Sequence, residues 1–361
     1  LISYLSINLN IICVVGKLIN NQKLLVLLMS VLFFTSFKEV KAQDPQFSQF
    51  YAAPLYLNPA FAGNTQMSRA GINYRNQWPS INANFTTYSA YFDHYFDMIS
   101  SGVGLIISRD EEGIAGLIST SVGAQYAYQL RLSENLTFRP GVQAAVYNRN
   151  LDFSSLTFGD QWDPETQSFQ NPTGEVSTGE SKTFFDLSFG GVLYSENFWM
   201  GYSVFHLNQP NQSILGDESK LPMKHSFHAG YKIPLKTGYK KGFTRSGDER
   251  SVTPTAQYKM QGGFQQLDLG IYSTLEPMVV GLWYRGIPFQ TPNGFSASES
   301  LVFLLGYSYE KISVGYSFDY TLSDLGIRSG GAHEISISYV LSLTDPRRPP
   351  ADKLRIPCPK F

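Results

Sequence analysis

The feature that most limits how this chain can fold is the alternation of apolar with small or polar side chains after residue 68. In the stretch ISVGYSFDY, Ile312 and Val314 lie on one face, whereas Ser313 and Gly315 lie on the other. Because successive side chains of a β-strand point to opposite faces, the alternation predicts half-apolar strands. Fourteen segments share the pattern: 69–79, 84–95, 101–109, 115–131, 135–150, 183–195, 197–208, 225–235, 251–261, 264–276, 278–286, 300–309, 311–321 and 333–342.

The composition of the two strand faces separates two all-β architectures. The solvent face of a soluble β-sandwich is heavily charged, but only 16% of this chain is charged and 14% is aromatic. The polar face is mainly Ser, Thr, Gly and Gln, and Tyr, Phe or Trp recur near strand ends, as in outer-membrane barrels. We therefore predict an all-β fold, a transmembrane antiparallel β-barrel of about 14 strands, over residues 69–342.

The beginning of the chain predicts export. Lys23 precedes the apolar run LLVLLMSVLFF, and a polar stretch then ends at Ala42. This arrangement is typical of a secretory signal peptide, and the run is shorter than the roughly 20 apolar residues of a membrane-spanning helix. We expect residues 1–42 to be a signal peptide with an upstream extension, cleaved after Ala42.

The segment 43–68 has an unusual composition, beginning QDPQFSQFYAAPLYLNPAFAG. Pro45, Pro54 and Pro59 exclude both a long helix and a regular strand, although aromatic residues are dense. Two arrangements fit: a plug inside the barrel, or a collar packed under its periplasmic mouth. The residues expected to anchor the segment are Phe47, Phe50, Tyr51, Leu55, Tyr56, Leu57, Asn58 and Phe61.

The connections predict an orientation in which both termini are periplasmic, with short periplasmic turns and long outer loops. The longest outer loops are 152–180, 209–223 and 287–299. The basic stretch 236–250 is long although it falls on the periplasmic side, and is either a solvated loop or a docking point. A periplasmic tail, 343–361, contains Cys358, the one thiol of the predicted mature chain.

The opening segment, followed by RNQWP at 75–79, resembles the start of the PorP/SprF family of type IX secretion outer-membrane proteins. SFDYTLSDLG (317–326), GAHEISISY (331–339) and the final CPKF (358–361) extend the resemblance over the whole predicted mature chain. The resemblance implies a fourteen-stranded barrel from a member of the Bacteroidetes. It also implies a role in type IX secretion or gliding motility. The barrel would export or anchor a surface adhesin through its C-terminal sorting domain, or couple to periplasmic secretion components.

Charged residues on the lumen face form the first group of candidate functional residues. Unlike charges can pair along the wall, or can line a hydrated, selective path. The alternation assigns these residues to the lumen: Arg69, Arg75, Asp93, Arg139, Arg149, Asp186, Lys232, Lys259, Asp268, Arg285, Asp319 and Glu334.

Aromatic and aliphatic residues of the outer loops form the second group. Exposed apolar residues in such number are typical of a partner-binding surface, although loops folded over their own barrel would look the same. The residues are Phe153, Phe158, Trp162, Phe169, Ile287, Phe289 and Phe295.

Other chemistries find little support. His225 and His228 are three residues apart and so lie on opposite faces of a strand, which disfavours a shared metal ion. There is no G-x-S-x-G motif, and a net charge of −1 disfavours nucleic-acid binding. We expect no catalytic, cofactor or metal site, and outer-membrane lipid and a secreted protein as partners. A passive solute channel is the rival function.

Overall fold

The computed structural model describes residues 44–65, 67–81, 85–113, 116–151, 156–169, 173–174, 181–214, 217–235, 250–286, 300–322, 326–341 and 356–358. The predicted signal peptide, the stretch 236–249 and most of the tail lie outside the described residues. Across the described ranges, no helix combines the length and apolar character that spanning a bilayer requires.

Short helical turns precede and punctuate a series of β-strands. One α-helical turn, α1, spans Pro54–Leu57, and 3₁₀ turns span Pro59–Phe61, Asp97–Ile99, Gly159–Gln161 and Ile327–Ser329. The strands in chain order are β1 (Ser68–Gln77), β2 (Phe85–Phe96), β3 (Ser101–Glu112), β4 (Leu117–Tyr128), β5 (Leu130–Arg131), β6 (Thr137–Leu151), β7 (Trp162–Asp163), β8 (Ser168–Phe169), β9 (Ser181–Tyr194), β10 (Phe198–Phe205), β11 (Lys224–Tyr231), β12 (Ile233–Pro234), β13 (Arg250–Gln261), β14 (Phe264–Leu275), β15 (Met278–Gly286), β16 (Ser300–Tyr309), β17 (Ile312–Thr321) and β18 (Ala332–Leu341).

Fourteen of these strands close into one antiparallel barrel. Its order is β1, β2, β3, β4, β6, β9, β10, β11, β13, β14, β15, β16, β17 and β18. The ring closes where β18 pairs with β1, from Ser68 opposite Leu341 to Gln77 opposite Ala332. Closure leaves no open edge, which a structure inside lipid requires because lipid cannot satisfy free backbone groups. The predicted all-β antiparallel barrel is therefore confirmed.

The barrel wall is apolar outside and polar inside. On β1, Ile72 is 55% exposed whereas its neighbour Asn73 is 3% exposed. On β17, Tyr316 is exposed and Ser317 is fully buried. This inverted distribution suits a wall whose outer face contacts acyl chains rather than water.

The two ends of the barrel differ. At the termini end, β1 begins and β18 ends, and this end carries short turns such as 195–197 and 276–277. At the opposite end, called the loop end below, β6, β10 and β15 end and β9, β11 and β16 begin.

Candidate functional site: the occupied lumen and the loop end

Residues 44–65, called the lumen segment below, lie inside the barrel. Leu55 and Phe61 have no exposed surface. Pro54 and Pro59 each begin a short helical turn, where proline costs no hydrogen bond. The Asn58 side chain accepts a hydrogen bond from the Ala60 N–H at 2.9 Å and so caps the second turn. The prolines thus give compact turns that fit within a lumen.

The predicted anchor residues all belong to this packing. Phe47 packs edge-on against Tyr56, with ring centroids 5.0 Å apart, and the Tyr56 hydroxyl donates to the Pro45 carbonyl at 2.6 Å. Tyr56 is half-buried. The fully or almost fully buried anchors are Phe47, Phe50, Tyr51, Leu55, Leu57, Asn58 and Phe61. These residues therefore pack against one another and against the inner face of the barrel wall.

The lumen segment crosses the barrel from the loop end to the termini end. The Asp44 N–H donates to the side chain of Gln261, the last residue of β13, at 3.0 Å. Nineteen residues later, the Gly63 N–H donates to Asp93, near the end of β2, at 2.8 Å. Asp44 consequently lies at the end opposite to the start of β1.

An aromatic shelf, formed by Trp199, Tyr272 and Trp283, supports the middle of the segment. The Phe50 ring lies 4.6 Å from the Trp283 ring, and the Tyr51 ring lies 5.7 Å from Trp199. The Trp199 indole also donates a hydrogen bond to the Tyr51 hydroxyl at 3.1 Å. Sequence reasoning assigned aromatic residues mainly to the lipid interface and missed this shelf. Strand alternation could have revealed it, because Trp283 is two residues before Arg285 in the same strand and so faces the lumen with it.

A charge cluster surrounds Ser48 of the lumen segment. Arg75 contacts Asp319 at 2.8 Å and Glu334 at 3.2 Å, and Arg285 contacts Asp319 at 2.8 Å. The Ser48 hydroxyl donates to Asp319 at 2.6 Å and accepts from Arg75 at 2.6 Å. Both the cations and the carboxylates are almost fully buried, so each side chain depends on its partners for charge compensation.

Other lumen charges pair nearby. Asp268 contacts Arg285 at 3.3 Å and Lys259 at 3.1 Å, and Arg69 contacts Asp93 at 2.9 Å. The structure half-buries Arg149 and Lys232 and buries the remaining assigned residues: Arg69, Arg75, Asp93, Arg139, Asp186, Lys259, Asp268, Arg285, Asp319 and Glu334. These contacts favour paired charges over a hydrated path.

A second ionic group, called the Asp44 latch below, holds the segment at the loop end. The Asp44 carboxylate lies 2.8 Å from the His206 ring and 3.3 Å from the Lys224 ammonium. The other ring nitrogen of His206 lies 2.8 Å from Asp186. Burial opposes the charge on His206, but Asp44 and Asp186 together raise its pKa to about 9. Burial also opposes the Asp44 charge, yet His206 and Lys224 hold its pKa below its usual range.

The loop end exposes an aromatic pair. Trp162 and Phe169 face each other across the β7–β8 hairpin, 5.1 Å apart, and are 43% and 54% exposed. Asp160 accepts hydrogen bonds from Thr173 and from the Gly174 N–H, which connects two described parts of this loop, 156–169 and 173–174. Phe158 is half-buried. The other predicted loop residues, Phe153, Ile287, Phe289 and Phe295, lie outside the described residues.

The chain's tail returns to the termini end. Ile356 is 2% exposed and belongs to the same apolar cluster as the lumen segment. The half-buried Cys358 thiol lies 3.9 Å from the Asn64 amide. Within the described ranges, no group of three or more His, Cys, Asp or Glu side chains could hold a metal ion.

The sequence also matches a known protein family. The model for "Type IX secretion system membrane protein PorP/SprF" covers residues 39–339. The chain belongs to the PorP/SprF family. The resemblance inferred from the sequence is confirmed, and membership implies interaction with other type IX secretion components. Barrel fold and family together indicate the outer membrane.

Several solved structures resemble the barrel distantly. The Ralstonia pickettii toluene transporter TbuX is 11% identical, with 80% of this chain and 92% of that chain covered and a TM-score of 0.44. The P. putida toluene transporter TodX is 10% identical, with coverages of 80% and 93% and a TM-score of 0.43. The KdgM porin is 9% identical, with coverages of 75% and 99% and a TM-score of 0.32. No curated protein matches the sequence.

Close approach of the segment to the wall predicts an intolerant glycine. A Cβ on Gly102 would overlap the Ala62 carbonyl oxygen, so Gly102→Val should lower the free energy of unfolding by about 1–3 kcal/mol. The change in the free energy of unfolding is measured by urea titration, with the folded fraction read from the heat-modifiable gel mobility of the barrel. Gly263→Ala is the control, because a Cβ there meets no atom within 4 Å. Equal effects at the two positions would contradict the packing.

The Asp44 latch predicts that the stability of the folded protein depends on pH. The pKa of His206 is raised from 6.5 to about 9. Its contribution to the free energy of unfolding is therefore complete below pH 6.5 and is lost as the pH rises through 9. Asp44 has a lowered pKa, so its contribution is lost only on strong acidification. Between pH 7 and pH 10 the free energy of unfolding should fall by up to about 3 kcal/mol.

The variant His206→Gln separates this effect from other groups that titrate in the same range. Urea unfolding at several pH values should show a smaller fall for the variant than for the unmodified protein. Parallel pH profiles for the two proteins would remove the latch as a source of stability.

Proposed function

We propose that this barrel binds a secreted cell-surface adhesin at its loop end, through the adhesin's C-terminal sorting domain, and helps export or anchor it. It does so without catalysis and without a cofactor. Membership of a type IX secretion family supports a role with secreted proteins. In the proposal the loop end faces the outside, the termini end faces the periplasm, and the anchored adhesin serves gliding motility.

The observation that carries the proposal is the filled lumen. Phe47, Phe50, Leu55 and Phe61 occupy the space that a solute would need, and paired charges line the wall around them. A barrel closed in this way suits an anchor better than a passive channel. While the lumen segment is in place, the surfaces open to a partner are the two ends of the barrel.

The aromatic pair of the β7–β8 hairpin supports the choice of the loop end. Aromatic side chains dominate the binding energy of many protein interfaces. Trp162 and Phe169 already contact each other, and the hydrogen bonds to Asp160 hold their loop. A surface that is ordered before binding loses less conformational entropy when a partner docks.

Coupling to periplasmic secretion components is a second candidate. The observation that favours it is the attachment of Ile356 to the apolar cluster at the termini end. This contact fixes one part of the C-terminal tail against the barrel, where a periplasmic partner could use it.

Loss of the aromatic pair should weaken cargo binding. Affinity capture of the tagged barrel from its native outer membrane identifies the secreted companion, whose C-terminal domain is then purified. The double variant Trp162→Ala and Phe169→Ala should lower its affinity at least about 30-fold, as expected for interface hot spots. Tyr309→Ala is the control, because this aromatic residue is 62% exposed near the opposite end. Unchanged affinity in the double variant would refute docking at the hairpin.

The filled lumen predicts electrical silence. The intact barrel reconstituted in a planar bilayer should show no stable conductance, and deletion of residues 44–63 should open a pore. Gel mobility before and after heating verifies that the shortened barrel is folded. Steady conductance of the intact protein would instead support the solute channel.

A further inference from the structure

Wall side chains contact the main chain of the lumen segment at several points along its length. Each such contact joins a side chain of a barrel strand to a carbonyl oxygen that every polypeptide possesses. The donors are Tyr91 to the Ala52 carbonyl at 3.1 Å, Gln125 to Leu55 at 2.7 Å, Ser203 to Leu57 at 2.9 Å, and Arg139 to Ala62.

Carboxylates of the wall accept hydrogen bonds from N–H groups of the segment. Glu334 accepts from the main chain of Ser48 at 2.6 Å and of Gln49 at 2.9 Å. Asp93 accepts from the Gly63 N–H at 2.8 Å. Every residue has a main-chain carbonyl and every residue except proline has an N–H, so these hydrogen bonds by themselves impose little selection on side chains.

Glycines in the wall provide a second, independent indication. A Cβ on Gly141 would come within 2.6 Å of the main chain of Pro59 and Ala60, and a Cβ on Gly102 would overlap the Ala62 carbonyl. The wall therefore leaves room for a polypeptide backbone at these points, on two separate strands. Glycine is the residue that permits so close an approach.

The wall also binds side chains of the segment: the Gln49 amide accepts from Ser336 at 2.7 Å, the Asn58 amide donates to the Tyr202 carbonyl at 3.0 Å, and the aromatic shelf contacts two adjacent rings. Phe50 and Tyr51 are consecutive, and their rings contact Trp283 and Trp199 respectively. The rings of Tyr272 and Trp283 also contact each other, 5.2 Å apart. Part of the shelf is therefore assembled from wall residues alone, and two adjacent aromatic residues of the segment cover it.

Several wall charges also have partners within the wall. Arg75 and Arg285 both contact Asp319, and Arg285 and Lys259 both contact Asp268. These ion pairs join wall residue to wall residue, so they remain after the lumen segment leaves. For these groups, departure of the segment would expose paired charges to water rather than isolated ones, which lowers its cost; Lys224 would lose its contact with Asp44.

We infer that the lumen is a binding site for an irregular polypeptide segment bearing two adjacent aromatic residues, which the lumen segment occupies in exchange with a segment of the secreted cargo. This inference rests on the proposed function for the source of the incoming peptide. The barrel recognises the backbone through its hydrogen-bonding wall and the aromatic pair through its shelf.

Hydrogen exchange of the intact chain tests whether the segment leaves a folded barrel. The amide hydrogens of Ser48, Gln49 and Gly63 should exchange at least about 100-fold faster than those in the middle of β1 and β18, through an opening smaller than global unfolding. Equal protection of both groups would mean that the segment leaves only when the barrel unfolds, and would overturn the inference.

Peptide exchange tests the specificity. A protease site inserted after Thr65 allows the segment to be cut in the folded barrel, and a fluorescent synthetic peptide of residues 43–64 is added. The peptide should replace the cut segment, as measured by fluorescence anisotropy. The peptide carrying Phe50→Ala and Tyr51→Ala should bind at least about 100-fold more weakly, whereas Phe50→Tyr with Tyr51→Phe should bind within about tenfold. Failure of the native peptide to exchange would overturn the inference.

The two proposals can fail separately. A barrel with Trp162→Ala and Phe169→Ala should lose cargo docking and retain peptide exchange. If purified cargo docks but peptides from its terminal region never displace the fluorescent peptide, the exchange with cargo is wrong and docking at the loop end stands.

Discussion

The closure of β18 onto β1 is the interaction on which the rest of the structure depends. In lipid, unpaired N–H and C=O groups at a sheet edge have no water to bind. The antiparallel ladder from Ser68–Leu341 to Gln77–Ala332 removes the last such edge. Arg75 and Glu334 face each other in this ladder, and Glu334 also binds the main chain of Ser48 and Gln49. The lumen segment is thus hydrogen-bonded to the strand pair that closes the barrel.

Closure of fourteen strands then creates a second requirement. Small barrels fill their interiors with wall side chains, whereas barrels of 16–18 strands leave a water-filled channel. This barrel lies between them and fills its interior with chain from outside the strand ladder. Phe47, Phe50, Tyr51 and Phe61 supply volume, and the prolines fold the backbone into turns that fit. An outer-membrane protein is consequently closed without a separate plug domain.

The lumen segment extends from one end of the barrel to the other. The Asp44 latch lies among residues of the loop end, and Gly63 and Asn64 lie near the termini end, beside the tail at Cys358. A partner docked at the loop end would therefore meet one end of an element whose other end lies on the opposite side of the membrane.

The sequence by itself determined the barrel, because strand alternation needs only neighbouring residues. It also assigned most wall charges to the lumen, such as Asp319 and Glu334, since parity along a strand decides the face. Alternation along one strand assigns a side chain to a face but does not determine which residue it contacts. The contacts among Arg75, Asp319 and Glu334 depend on barrel closure, which sets the register between strands. Trp199 and Trp283 face inward for the same reason, although aromatic residues of barrels commonly face lipid. The path of residues 44–65 has no local pattern at all. Only the shape and polarity of the closed lumen decided that Asp44 lies at the loop end.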